Sequence, residues 1–226
     1  ARLSILLLAL LLLAMAAGLM IGTVPVSLGD LLGGTSGAEY NAAHIIALDI
    51  RLPRVVAAAL TGLALGASGA GFQGLLRNPL AEPGVMGTSA CAALAATGVA
   101  YFGLADALPF AMPLAAIAGA IAATALVAAT ALRQRGIASM ILIGVSLTAI
   151  AGAVMALFIN LAPNPFSLSD LINWTAGSVA NRDWPEIGLA APFILAGTAI
   201  LWMVRRDFSA LAFGEEVAFA LGVNLT

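Results

Sequence analysis

The sequence predicts an all-α fold, a polytopic transmembrane helix bundle with six spans, and three observations carry that prediction. Hydrophobic residues make up 62% of the 226 and charged residues 9%, whereas a soluble domain carries about 45–50% apolar and about 25% charged residues. So few charges cannot clothe a surface in water. Apolar, charge-free runs long enough to cross a bilayer recur along the chain; a helix needs about 20 such residues. Those runs are rich in Ala, Gly and Leu and lack the alternation of an outer-membrane barrel strand.

Taken in order, the runs are Leu3–Ile21, Val55–Leu76, Pro83–Ala105, Ala107–Leu132, Gly136–Ser169 and Ile187–Val204. In the first, Arg2, an apolar core and Ala14-Met15-Ala16 imitate a secretory leader with its cleavage site. The run continues to Ile21, long for such a core, so a retained helix is the preferred reading. The fifth run exceeds one span. Pro163 and Pro165 are expected to end its helix near Leu161, leaving an interfacial stretch behind it.

Six spans put Arg2, Arg77, Arg133, Arg135, Arg205 and Arg206 on one side, and Arg51, Arg54 and Arg182 on the other. Basic residues favour the cytoplasmic side, so the first group, and both ends of the chain, are expected inside. Seven of the eleven acids (Asp30, Glu39, Asp49, Asp106, Asp170, Asp183 and Glu186) fall on the opposite side, although acids carry little topological weight. All nine basic residues are Arg, and the formal net charge of −2 gives no sign of a nucleic-acid partner.

None of the runs contains Asp, Glu, Lys, Arg or His. Ion-driven carriers and proton pumps commonly place an ionisable group at depth, so their absence argues against such coupling. Without Lys the chain cannot build a Walker A phosphate loop, and any ATPase activity must belong to another subunit. His44 is the single histidine and Cys91 the single cysteine. They offer no catalytic pair, no internal disulfide and no metal set, so no enzyme activity, cofactor or metal site is expected. Ser68, Ser89, Ser139 and Ser146 lack a base partner and are expected to bond helix carbonyls or neighbouring helices. Gly62, Gly66, Ala70 and Gly74 recur at four-residue spacing, a face that lets another helix approach closely.

The stretch RLPRVVAAALTGLALGASGAGFQGLLRNPLAEPGVMGTSACAA, from Arg51 to Ala93, resembles the FecCD-type permease family of type II ABC importers for iron-siderophores, haem and cobalamin. Its matching features are Arg51-Leu52-Pro53-Arg54, Gly62, Leu65, Gly69, Gln73, Asn78-Pro79-Leu80-Ala81, Pro83-Gly84 and Gly87. Cys91 stands where the family often has Gly, which leaves local helix packing in question. Trp174, Gly177, Ser178 and Trp184 resemble the family's outside segment after the fifth helix, and two Trp around a polar turn suit a membrane interface. Gly214-Glu215, Ala218 and Leu221-Gly222 resemble the cytoplasmic coupling segment, about residues 208–222, that docks on the ATPase. From the residues alone, Glu215 and Glu216 suit a helix's first turn and Gly222 its C-terminal cap.

The resemblance covers residues 1–226 and implies the first six helices of a ten-helix permease domain. It implies a bacterial inner-membrane importer, with its N-terminus in the cytoplasm, for an iron chelate, haem or cobalamin. The implied partners are a second permease copy or paralogue, two cytoplasmic ATP-binding subunits, a periplasmic substrate-binding protein and membrane lipid. Arg51 and Arg54 would dock glutamates of the binding protein, or else snorkel to lipid headgroups. Asn78, Pro79 and Leu80 would contribute to a cytoplasmic gate, or else form a plain turn. The helix Ile137–Leu161 would wall the translocation path, with Asn160 near its outer end. From other classes, a secondary carrier with inverted repeats and a non-transporting scaffold are the alternatives, and neither needs an ATPase-docking segment.

Overall fold

The structure, a computed structural model, describes residues 2–24, 26–27, 38–105, 108, 110–134 and 136–223. Asp30, Asp106 and Arg135 of the loop-charge argument lie outside the described residues, as do the side chains of Glu39, Asp170 and Glu215. In chain order the helices are α1 (Arg2–Met20), α2 (Ala38–Ile45), a π-helical segment (Ile46–Arg51), α3 (Leu52–Leu76), a 3-10 turn (Pro83–Met86), α4 (Thr88–Tyr101), α5 (Ala111–Gln134), α6 (Ile137–Asn160), α7 (Pro165–Ala176), α8 (Trp184–Met203), α9 (Arg205–Leu211) and α10 (Glu215–Ala220).

The all-α expectation holds, and among the described residues there is no strand. Among the described residues, five helical stretches are long and apolar enough to cross a membrane: Arg2–Met20, Ala42–Leu76, Ala111–Arg133, Ile137–Asn160 and Trp184–Met203. The remaining run, Pro83–Ala105, is divided. It opens as the 3-10 turn, reverses at Gly87 with φ +72°, and continues as α4 over 14 residues. That length rises about 21 Å, short of the hydrocarbon thickness of about 30 Å. Hydropathy alone does not see such a break, because Pro83 and Gly87 are themselves uncharged. Beyond Asn160, the residues Pro163 and Pro165 do separate two helices, and the stretch behind them is α7.

The chain divides into two compact units, residues 1–63 with 179–196 and residues 64–178 with 197–226. In the second unit α4 is the hub and packs on α5, α6 and α7. A Cβ on Gly119 of α5 would lie 2.5 Å from the Cys91 carbonyl and 2.8 Å from Ala95 Cβ. The two backbones therefore meet with no side chain between them, the means by which helices associate where lipid supplies no hydrophobic drive. Half-buried Cys91 is accommodated because its partner there is glycine. Leu76, Ala81, Met86 and Val127 form a buried cluster, with Phe72 and Leu147 packed against it. Ser68, Ser139 and Ser146 donate to helix carbonyls as expected, at 2.6–2.8 Å.

The small-residue face of α3 is used unevenly. Cβ atoms built on Gly62, Gly66 and Gly69 would meet nothing within 4 Å. Gly71 faces Leu201 at 3.4 Å, and Gly74 faces the Phe208 carbonyl at 3.1 Å.

Candidate functional site

In the first unit the π-helical segment leads directly into α3, and Pro53, just past the junction, is fully buried. Such i→i+5 turns recur at functional sites. Here it carries Arg51, which is 9% exposed. Its Nη1 donates to the carbonyls of Leu19 at 2.9 Å and Met20 at 3.1 Å, and its Nη2 donates to that of Val24. The last carbonyls of a helix have no partner within it and carry its negative dipole end. Arg51 therefore caps α1 with a fixed cation. Gly22 makes room, since a Cβ there would lie 2.5 Å from Nη2, and Gly18 lets α1 meet Val55 at 3.1 Å.

Two presented guanidiniums were expected from Arg51 and Arg54, and the outcome differs. Arg51 is turned into the protein and occupied, because the carbonyls of Leu19, Met20 and Val24 lie within its reach. Arg54 is half-buried, with an Nε that has no hydrogen-bond partner among the described residues. In the same unit Trp184 Nε1 donates to the Leu48 carbonyl at 3.2 Å, and Arg182 pairs with Glu186 at 2.7 Å.

In the second unit Asn78, Pro79 and Leu80 form the turn that ends α3. Arg77 takes the left-handed conformation at φ +49°, and the Asn78 N–H donates to Gln73 O at 3.2 Å. This six-residue closure is a Schellman ending. Asn78 Oδ1 then accepts from the Leu80 N–H at 2.9 Å, while the Ala81 N–H returns to Asn78 O at 3.0 Å. Leu80 projects from this rigid turn with 86% of its surface exposed, and the next residue, Ala81, is buried.

Beside the turn, the 3-10 segment lies directly on α6. A Cβ on Gly144 would overlap the Val85 carbonyl and come within 2.7 Å of Met86 Cα. One on Gly87 would lie 2.7 Å from the Gly144 carbonyl. On another face of α6, Leu142, Val145, Ala149, Gly152, Ala156 and Asn160 are exposed in a row at three- and four-residue steps, so they share one side of the helix. Asn160 ends that row and donates from Nδ2 to Ala156 O at 2.7 Å. Nearby, Tyr101 stacks on Phe158 at 4.7 Å between centroids and donates its hydroxyl to Leu161 O at 3.3 Å. Sequence reasoning passed over Tyr101, Phe158 and Gly144, and named Gly87 only as a family feature. The visible signals were two aromatic rings among Ala and Val at the end of α4, and glycines outside any regular stripe.

The coupling segment is a helical hairpin. α9 packs on α10, with Ala210 and Ala218 buried between neighbours. Gly214 precedes α10 at φ +111°, and Gly222 follows it at φ +83°. The Gly222 N–H donates to Phe219 O and the Val223 N–H to Ala218 O, both at 3.0 Å, so α10 also closes in a Schellman motif. Glu215 begins α10 and Leu221 caps it. Ala218 is therefore a packing residue. The side chains that face outward are Phe213, Phe219 and Leu221, exposed at 77%, 74% and 68%. Among the described residues no three His, Cys, Asp or Glu side chains gather as metal ligands would.

Three comparisons bear on these features. The model of the FecCD transport family matches residues 8–226. The ferric enterobactin transport system permease protein FepD of Escherichia coli (strain K12) is 37% identical over 220 residues, covering 96% of this chain and 65% of its own length. An uncharacterized ABC transporter permease protein, YvrB of Bacillus subtilis (strain 168), is 34% identical over 199 residues, covering 85% of this chain and 56% of its own. The chain thus spans less than two-thirds of the length of these relatives. A solved structure, described as an inward-facing conformation of a transporter assigned to the metal-chelate ABC type, superposes with a TM-score of 0.83 at 25% identity, over 99% of this chain and 68% of that one.

Proposed function

The chain belongs to the FecCD transport family, and on that premise we propose that it forms the path-lining part of a permease that imports a metal chelate, haem or cobalamin on the energy of a separate ATPase. The observation that carries this reading is the α9–α10 hairpin. It is a short element, closed at its C-terminal end, with Phe213, Phe219 and Leu221 strongly exposed on its outside, joined to a multi-pass helical body with no ionisable group in the middle of any span. A carrier driven by an ion gradient has no need of such an element. A soluble ATPase needs one, because a rigid apolar knob seated in a groove is how a short helix anchors to a partner.

The open row on α6 from Leu142 to Asn160 is the wall of the path. Its small residues leave a smooth apolar surface suited to a bulky chelate, and Asn160 supplies a polar group at its end. Leu80 on its rigid turn is the gate residue. A second permease copy closes the path from the other side, and the open glycines Gly62 and Gly66 provide a face for close helix contact. A substrate-binding protein docks through the exposed part of the half-buried Arg54 side chain, while Arg51 fixes the end of α1 beside it. The N-terminus, Arg133, Arg205 and the hairpin lie in the cytoplasm, in keeping with the arginine distribution.

The test is ATP-dependent uptake of labelled ferric siderophore, haem and cobalamin by the full-length permease, reconstituted with its ATPase and binding protein. Uptake that follows a proton or sodium gradient without the ATPase would refute the reading. Orientation is checked on a Cys91→Ala background: Ser178→Cys should react with an impermeant thiol reagent from outside the cell and Ser209→Cys should not.

A further inference from the structure

The contact between α3 and α9 is tighter than ordinary side-chain packing. A Cβ built on Gly74 would lie 3.1 Å from the Phe208 carbonyl oxygen and 3.4 Å from Phe208 Cβ. Glycine lets the backbone of α9 rest on α3 without the small shift that a Cβ would force, and one turn earlier a Cβ on Gly71 would lie 3.4 Å from Leu201. Both sides of this seat are stiff. On one side α9 is packed on α10, with Ala218 fully buried. On the other, Leu76 is held in the buried cluster with Ala81 and Met86, and α3 ends in the Asn78–Leu80 turn only four residues beyond Gly74.

We infer that Gly74 is the positioning residue through which the α9–α10 hairpin and the last turn of α3 move as one body, so that displacement of the hairpin is delivered to the Leu80 turn. This deepens the proposed function and rests on it, because it takes the hairpin to be the ATPase contact. The physical ground is the nature of the contact. Side chains that interdigitate can slide by changing rotamers, but a carbonyl seated against a glycine has no rotamer to change. From the seat, packing continues through Leu76 to Met86, and from there to Gly144 of α6. Movement at the hairpin thus has an unbroken packed route to the helix proposed as the wall of the path.

The geometry supplies its own test. The Cβ separation of 3.4 Å at Gly74 and Phe208 is just under the range of about 3.5–4.5 Å that a disulfide spans. In the full-length Cys91→Ala permease with its ATPase, Gly74→Cys with Phe208→Cys should cross-link under mild oxidation. Uptake by the cross-linked complex should match that of the reduced one. Failure to cross-link would overturn the inference, and so would cross-linked complex that stalls and recovers with reductant, since either shows the two segments part during the cycle. A second variant, Gly74→Leu, wedges the seat apart. It should keep the ATPase bound and hydrolysing ATP while uptake falls about tenfold, within the span reported for changes along packed coupling networks. Unchanged uptake in Gly74→Leu would likewise overturn it. The unsubstituted complex separates the two levels: if it binds no ATPase, the proposed function fails, whereas the cross-link still reports on the seat.

Discussion

Replacing Arg51 with Met removes the guanidinium and keeps much of the side-chain volume, so the loss reports on the α1 cap. The carbonyls of Leu19, Met20 and Val24 each lose the Arg51 donor at once, and that of Met20 keeps only the Val26 N–H at 3.4 Å. A hydrogen bond to a charged group contributes about 1.5–3 kcal/mol net, but the three share one cation and two of the carbonyls can recruit water near the surface. The sum is therefore well below three full bonds, at about 2–4 kcal/mol, similar to breaking a buried charged contact. For a chain of this size each kcal/mol moves the midpoint of thermal unfolding by about 2–4 °C, so a fall of roughly 5–15 °C is expected in detergent. Arg51→Lys should recover less than half of it, because one ammonium cannot span carbonyls that a planar fork reaches together. Limited proteolysis should show new cleavage close to Val24. A midpoint within about 1 °C of the unsubstituted protein would mean that the cap contributes nothing, since even 0.5 kcal/mol gives that shift. If binding-protein affinity fell while the midpoint stayed put, Arg51 would be a docking group after all.

Three other outcomes are expected. Gly87→Ala should destabilise by about 2–4 kcal/mol, from about 1–2 kcal/mol for a left-handed alanine and about 1–3 kcal/mol for overpacking against the Gly144 carbonyl, less some shared relaxation. Gly144→Ala should lose about 1–3 kcal/mol by the same overlap with Val85, whereas Gly152→Ala, which meets nothing within 4 Å, should gain up to about 1 kcal/mol in helix propensity; thermal unfolding of the three side by side is the check. Phe219→Asp should release the ATPase during co-purification without lowering the unfolding midpoint, because its ring is 74% exposed; retained ATPase would move the docking surface elsewhere.

How much of this was legible depends on whether a feature is local. Helices α5, α6 and α8 could be placed from charge-free runs because the bilayer sets a minimum length and charges mark the ends. The close of α6 before Pro163 and the Gly222 cap were legible for the same reason, since a missing N–H or a left-handed residue acts within one turn. The division of Pro83–Ala105 was not, because Gly87 reverses the chain where Gly144 leaves it space, and that partner is 57 positions away. Gly144 itself was overlooked as one glycine among 24. Hydropathy does not distinguish a glycine facing open space, such as Gly66, from one against a carbonyl, such as Gly74. At α10, Gly214, Ala218 and Gly222 shape and bury the helix, while Phe213, Phe219 and Leu221, two of them outside the motif, face outward.

Arg51 and Arg54 invite one more step. Both were singled out as arginines on the side that basic residues tend to avoid, and docking was offered as the reason. The geometry supplies a different reason for one of them. A helix end leaves carbonyls without a partner inside the helix, and a cation from the next helical segment bonds two of these, of Leu19 and Met20, together with that of Val24. Lys could carry the charge but not the fork. The demand is thus for arginine at that position, whatever side of the membrane it occupies, and the charge-distribution rule is overridden by hydrogen bonding. No such demand acts on Arg54, whose Nε is buried without a partner among the described residues. A buried donor left unmatched is a cost of about 1–3 kcal/mol, and a carboxylate from a second protein would meet the exposed remainder of this half-buried side chain and offset its charge. Arg54→Ala should therefore leave the unfolding midpoint unchanged or raised and weaken binding-protein association by roughly tenfold or more, given the 2–5 kcal/mol typical of a truncated interfacial charge pair. Equal affinity at low salt would show that lipid meets that side chain instead.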